Sequence, residues 1–127
     1  MREFRVSVLN EPGQLALVSA ALSQKLVNIR TVAGFGAAGP VVTFITDHEE
    51  RAREALDELG LRYEEAEVLS VTLSDQPGEL ARISRALADA HLNIDSIYVL
   101  ATRQGQTDIA LTVSDPGKAR QVLGLET

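Results

Sequence analysis

The chain repeats itself. Residues 75–97, DQPGELARISRALADAHLNIDSI, lie over residues 10–32, NEPGQLALVSAALSQKLVNIRTV, at a shift of 65 residues, and nine of the 23 aligned positions are identical. The identities are Pro12/Pro77, Gly13/Gly78, Leu15/Leu80, Ala16/Ala81, Ser19/Ser84, Ala21/Ala86, Leu22/Leu87, Asn28/Asn93 and Ile29/Ile94. Val18/Ile83 and Gln14/Glu79 exchange like for like. A repeat at a fixed shift means two copies of one structural unit. The expected division is 1–66 and 67–127.

Each copy reads β-α-β-β-α. Phe4, Val6 and Val8 alternate with Arg5, Ser7 and Leu9, and a period of two means a strand. The turn Asn10, Glu11, Pro12, Gly13 ends it, with Asn10 placed to cap a helix and Pro12 in its first turn. Leu15, Val18, Leu22 and Leu26 then recur at helical spacing. Residues 29–35 and 41–46 are strands joined through Gly34, Gly36, Gly39 and Pro40. Asp47 is placed to cap a second helix with the stripe Ala52, Ala55, Leu56 and Leu59, which Gly60 ends.

Residues 61–73 run extended. Leu69, Val71 and Leu73 sit 65 residues after Phe4, Val6 and Val8 and open the second copy on the matching face. Asp75 takes the place of Asn10, and Leu80, Ile83, Leu87 and Ala90 repeat the helical stripe. Strands at 94–102 and 109–114 flank a loop at 103–107. Ser114 or Asp115 caps a last helix, with Pro116 in its first turn and Ala119, Val122 and Leu123 inward. Matching Asp47 to Asp115 gives a shift of 68, which predicts a longer second hairpin loop.

The first copy continues into a further strand, giving β-α-β-β-α-β. That order folds as an antiparallel sheet with both helices on one face, the ferredoxin-like arrangement of the α+β class. The second copy shows no clear final strand. The edge beside 68–73 is then expected to be covered by residues 61–67 or by a second chain. The two sheets are expected to join into one larger sheet.

Composition narrows the function. A formal net charge of −6 argues against nucleic-acid binding, which needs clustered Lys and Arg, and disfavours an anionic membrane surface. There is no cysteine, hence no disulfide, thiolate metal site or Cys nucleophile. No apolar run approaches the roughly 18 residues of a membrane span. The N-terminus opens on a strand pattern rather than a signal peptide, so a cytoplasmic protein is expected. His48 and His91 are isolated in sequence. No catalytic constellation, metal site or cofactor is therefore expected.

The doubled signature, Pro-Gly-x-Leu-Ala, an amphipathic helix, then Asn-Ile opening a strand, resembles the ACT domain, the small regulatory module of amino-acid metabolism. The layout is similar to free-standing tandem ACT proteins and to regulatory subunits of acetolactate synthase. The resemblance implies an amino acid bound between paired domains, a homodimer, and output through a partner enzyme. The ligand contacts it implies fall on the first turn and on the strand opening. In the first copy these are Asn10, Pro12, Gly13, Gln14, Leu15, Asn28 and Ile29. In the second they are Asp75, Gly78, Glu79, Leu80, Asn93 and Ile94.

The chemistry agrees with that assignment. A helix N-terminus offers free N–H groups and partial positive charge to a carboxylate. Glycine lets a ligand approach the backbone, and an Asn amide can donate or accept. Asp75 would repel a carboxylate and attract an ammonium, which favours the first copy for a carboxylate contact. The plainer readings are structural. Asn10 and Asp75 cap their helices; Asn28 and Asn93 manage helix-to-strand turns, where Asn tolerates left-handed backbone. Gly34, Gly36 and Gly39 lie in a hairpin, not in a phosphate loop. Tyr98 is a half-buried sheet residue or lines a ligand or dimer surface. The expected function is a non-enzymatic regulatory protein that senses an amino acid or similar metabolite. The alternative is an interaction module without ligand, or a subunit of a metabolic enzyme complex.

Overall fold

A computed structural model describes residues 1–36 and 39–125. The chain divides into two compact units, Met1–Ala66 and Glu67–Thr127. The first contains β1 (Arg2–Ser7), α1 (Gln14–Gln24), β2 (Ile29–Phe35), β3 (Val41–Thr46), α2 (Glu49–Leu59) and β4 (Tyr63–Glu67). Its sheet has the order β2-β3-β1-β4. Alternation on the strands decides which face is covered. Phe4 and Val6 of β1 and Val42 and Phe44 of β3 form one core with Val18 and Leu22 of α1 and Ala52, Ala55 and Leu56 of α2. Both helices thus cover the same face, as expected. The Phe4 and Phe44 rings stack at 5.7 Å, and Tyr63 adds a tilted ring 6.1 Å from Phe4. Burying each large apolar side chain here contributes about 1.5–3 kcal/mol.

Strand β4 takes the place beside β1. Charge fixes it there. The Glu65 carboxylate accepts from Arg2 Nε at 2.9 Å and from Arg53 Nε and Nη2 at 2.8 Å each. Those guanidiniums, Arg53 first, hold its carboxyl below the usual carboxylate range.

The second unit contains β5 (Leu69–Ser74), α3 (Glu79–Asp89), β6 (Ile94–Arg103), β7 (Gln106–Val113) and α4 (Pro116–Leu123). Its sheet has the order β5-β7-β6, with no fourth strand among the described residues. Leu69, Val71, Leu73, Ile109, Leu111 and Val113 pack against Ile83, Leu87 and Ala119. Each unit has a sheet of its own; strand pairing does not give the single larger sheet expected from the sequence.

Several local expectations are corrected. The second hairpin has the shorter loop, not the longer one. Ile29 pairs with Thr46 and Ile94 with Val113, so the returning strands are shifted by 67 residues rather than 68. The extra length goes into β6 and β7, of 10 and 8 residues against 7 and 6 in the first copy. Gly105, at φ +74°, permits the two-residue turn between them. Asn10, Asp75 and Asp47 cap no helix. Gly13, Gly78 and His48 occupy those cap positions without a side-chain bond. Pro12 precedes α1 rather than entering its first turn. Asp115 does cap α4, its Oδ1 accepting from Lys118 N at 3.1 Å, with Pro116 first in the helix.

All four helices end alike. Val27 N reaches Leu22 O and Leu26 N reaches Ser23 O; Leu92 and His91 repeat these bonds on α3, as do Leu61 and Gly60 on α2 and Leu125 and Gly124 on α4. This is the Schellman closure, which places one residue in left-handed backbone. Gly60 and Gly124 suit it, at φ +68° and +69°. Leu26 and His91, both at φ +59°, do not. Asn28 and Asn93 were expected to serve these turns and stand outside the left-handed region.

Two outcomes follow from this packing. Replacing Leu26 or His91 by glycine relieves left-handed strain and should stabilise the chain by about 1 kcal/mol each, read as a higher denaturant midpoint. A carboxyl whose pKa is depressed by folding contributes stability above its unfolded pKa and loses it as pH falls through the folded value. The contribution of Glu65 should therefore disappear as pH drops below about 4.5. Glu65→Gln should flatten that acid limb of a stability-against-pH curve, while a limb unchanged by the substitution would remove Glu65 from the account.

Candidate functional site

Where β1 turns into α1, the first unit opens a shallow hollow of about 200 Å³. Leu9, Asn10, Glu11, Gln14 and Leu15 form one wall; Gly34, Phe35, Gly36 and Pro40 of the hairpin form the other. The second unit has a hollow of about 150 Å³ at the same place, lined by Leu73, Ser74, Asp75, Gln76, Glu79, Leu80, Thr107 and Ile109. Leu9/Ser74, Asn10/Asp75, Glu11/Gln76, Gln14/Glu79 and Leu15/Leu80 correspond at the shift of 65, and Pro40/Thr107 and Val42/Ile109 at the shift of 67. The repeat is thus a repeat of a surface as well as of a fold.

Glycine builds the turn. Gly13 and Gly78 stand at φ +93° and +91°, the left-handed region that side chains disfavour. Gly13 and Gly78 cap α1 and α3 without a side-chain bond, and Glu79 N at the start of α3 donates to Gln76 O at 3.4 Å. Gly36 has a separate role. A Cβ on it would fall 2.8 Å from Asn10 Oδ1. Its bare backbone lets the Asn10 carboxamide lie against the hairpin.

The two hollows differ in charge. Asn10 and Gln14 present neutral amides, and Gln14 Nε2 donates weakly to Glu11 Oε1 at 3.5 Å. Asp75 and Glu79 present carboxylates. Glu79 is bound by Arg82 Nε at 3.0 Å and Nη2 at 3.4 Å. That pairing first, and a backbone bond from Ser74 as well, hold its carboxyl below the usual range.

The expected strand-opening contacts do not enter these hollows. α1 has 11 residues, about 16 Å of helix, and Asn28 and Ile29 lie past its far end. Asn28 N donates to Asp47 Oδ1 at 2.9 Å, and Asp47 N returns a bond to Asn28 O at 3.2 Å. Asn93 N donates to Ser114 Oγ at 3.2 Å, and Ser114 N returns a bond to Asn93 O at 3.1 Å. Ile29 and Ile94 pack against the two cores. The structure therefore groups Asn10, Gln14 and Leu15, and Asp75, Glu79 and Leu80. It puts Asn28, Ile29, Asn93 and Ile94 at the other end of each unit. Pro12, Gly13 and Gly78 shape the turns without lining the hollows. Phe35, Gly36 and Pro40 were missed because the hairpin wall is distant in sequence, with Gly34 and Gly36 its signal, and Leu9, next to Asn10, was missed as well.

Tyr98 is half-buried on β6, and His48 is exposed at the start of α2. Among the described residues no three His, Cys, Asp or Glu gather as a metal site. No helix among them is long and apolar enough to cross a membrane.

Comparison with known proteins matches the second unit to a known family. Residues 68–124 match the ACT domain family model. Aspartokinase from Corynebacterium glutamicum is 44% identical over 63 residues, covering 46% of this chain and 15% of that protein. Aspartokinase from Mycobacterium tuberculosis is 47% identical over 58 residues, covering 43% and 14%. The chain thus spans about one seventh of the length of these curated relatives. Among solved structures, protein BT0572 from Bacteroides thetaiotaomicron superposes with a TM-score of 0.83 at 18% identity, over 97% of this chain and 85% of that one. The ligand-free regulatory subunit of aspartate kinase from Thermus thermophilus gives 0.69 at 19% identity, over 97% and 87%. Both share the fold across both units, so the architecture is a tandem of two ferredoxin-like units.

The glycine turns make a direct test. An added Cβ at Gly13 or Gly78 meets nothing within 4 Å, so the cost of Gly→Ala is backbone strain and not a clash. Each substitution should destabilise its unit by about 1–2 kcal/mol, measured by denaturant unfolding.

Proposed function

We propose that this chain is a non-catalytic regulatory protein that senses an amino acid or a similar metabolite and passes the signal to a partner enzyme or through its own homodimer. The observation that carries the reading is the recurrence of one hollow, built from the same repeat positions, at the glycine-capped helix start of both units. The match of residues 68–124 to the ACT domain family model and the aspartokinase relatives support it. Amino-acid metabolism in the cytoplasm is the setting proposed.

The first hollow is the proposed carboxylate site. The opening N–H groups of α1 supply partial positive charge, Asn10 and Gln14 add amide donors, and Glu11 is the single carboxylate on the lining, against Asp75 and Glu79 in the second hollow. Gly13 lets the ligand reach the backbone, Pro12 stiffens the turn, and Leu15 supplies apolar contact. At Gly78, Asp75, Glu79 and Leu80 the second copy takes an ammonium or hydroxyl, or no ligand. Contact by Asn28, Ile29, Asn93 or Ile94 requires a hollow brought by another unit or chain. A ligand shifts an equilibrium only by its difference in affinity between two states, so signalling requires that it bind one packing of the units better than another. Asp75 and Glu79 favour a second reading for the second unit: an interaction module whose ligand site has been lost.

A thermal-shift screen against the twenty amino acids tests this. A ligand of the folded state at a hundredfold excess over its dissociation constant adds about 2.7 kcal/mol of apparent stability. One or a few amino acids should raise the melting temperature, and Asn10→Asp, which gives the first hollow the second's charge, should abolish that rise while leaving the ligand-free melt in place. A flat screen at millimolar concentration would refute the sensor reading in favour of the interaction module.

A further inference from the structure

The two walls of the first hollow differ in what they offer. The turn wall carries the polar side-chain groups: the amides of Asn10 and Gln14 and the carboxylate of Glu11. The hairpin wall has none. Gly34, Phe35, Gly36, Pro40, Val41 and Val42 line it with hydrocarbon and backbone. Leu9 and Leu15 continue that apolar surface around the turn, and with Phe35 they stand exposed. Among the described lining residues there is no Lys, Arg or His. Ligand sites commonly have this composition, an apolar lining with a few polar groups that fix orientation. An apolar group seated against the exposed side chains gains by withdrawing them from water.

We propose that the first hollow takes an α-amino acid with an apolar, uncharged side chain, a selectivity that rests on the sensor reading above. The inventory of polar groups decides it. Every free amino acid brings one carboxylate and one ammonium. Asn10 and Gln14 supply donors for the carboxylate, and Glu11 accepts from the ammonium. With both seated on the turn wall, the side chain is left to the hairpin wall. A basic side chain finds no acid there, because the one lining carboxylate is already engaged. An acidic side chain finds no base. Either would give up water for no charged partner, which costs free energy. An apolar side chain loses no hydrogen bond and covers Phe35 and its neighbours. The second hollow lacks this wall. Thr107 stands where the first has Pro40, Asp75 and Glu79 replace the two amides, and no aromatic side chain is among its described lining residues. The apolar ligand is therefore assigned to the first unit.

Calorimetric titration of the full chain tests it with matched probes. L-norleucine and L-lysine share a straight four-carbon side chain and differ in the terminal ammonium. The tightest of L-norleucine, L-leucine and L-phenylalanine should bind at least about tenfold more tightly than L-lysine, L-aspartate or glycine, which has no side chain to seat. Phe35→Asp sets a carboxylate on the hairpin wall. It should weaken L-norleucine, strengthen L-lysine, and so shrink or reverse the ratio between them. Phe35 is exposed, so the substitution leaves the core intact, and circular dichroism checks that it does. L-lysine, L-aspartate or glycine binding as tightly as the best apolar probe would overturn this inference and leave the sensor reading standing. A norleucine-to-lysine ratio unchanged by Phe35→Asp would overturn it as well. A chain that binds none of the twenty amino acids at millimolar concentration would overturn both.

Discussion

The left-handed backbone at Gly13 and Gly78 is the constraint from which the site geometry follows. At φ +93° and +91° the chain swings from strand into helix with no side chain over the helix start. Asn10 and Asp75 would take up those N–H groups if they capped, and the turns would then be closed. Because they stand away from the caps, the residues before the helices line a hollow instead. The hairpin completes it only because Gly36 has no side chain to displace Asn10.

The same backbone then carries two chemistries. Exchange of Asn10 for Asp75 and of Gln14 for Glu79 leaves the left-handed glycine in place at both helix starts, and the helix ends close with the same bonds. It leaves one lining carboxylate, Glu11, in the first hollow and puts two, Asp75 and Glu79, in the second. Charge also separates the helices. The 11 residues of α1 include no charged side chain, whereas α3 carries Glu79, Arg82, Arg85 and Asp89. A solvent-facing helix ordinarily has a charged outer side, and α3 has one where α1 does not.

Much of the fold was legible because burial has a period. Phe4, Val6 and Val8, repeated as Leu69, Val71 and Leu73, announced the strands and their inward face, and the fixed shift of 65 announced the second unit. What escaped was set by backbone conformation or by contacts distant in sequence. Asn and Asp lead the ranking of helix caps, yet the glycine turn carries Asn10 and Asp75 out of reach. The left-handed helix ends fell to Leu26 and His91, which no propensity favours, because the bonds from Val27 to Leu22 and from Leu92 to Leu87 impose that geometry. Half of the candidate site was readable from the turn motif. The hairpin wall was not, since nothing local to Phe35 or Pro40 says that they face Asn10.

Apolar exposure adds a further difference between the hollows. Leu9, Leu15 and Phe35 rim the first at 65%, 51% and 65% exposure, while among the large apolar side chains rimming the second, Leu80 stands at 52%. Surface withdrawn from water contributes about 25 cal/mol per Å². A ligand that drew three such side chains together would gain more from closure of the first hollow than from closure of the second. A site responds to its ligand only as far as the closed state is better bound than the open one. The lining amides and the wider apolar rim point the same way: closure over a small molecule would be favoured more at the first hollow than at the second.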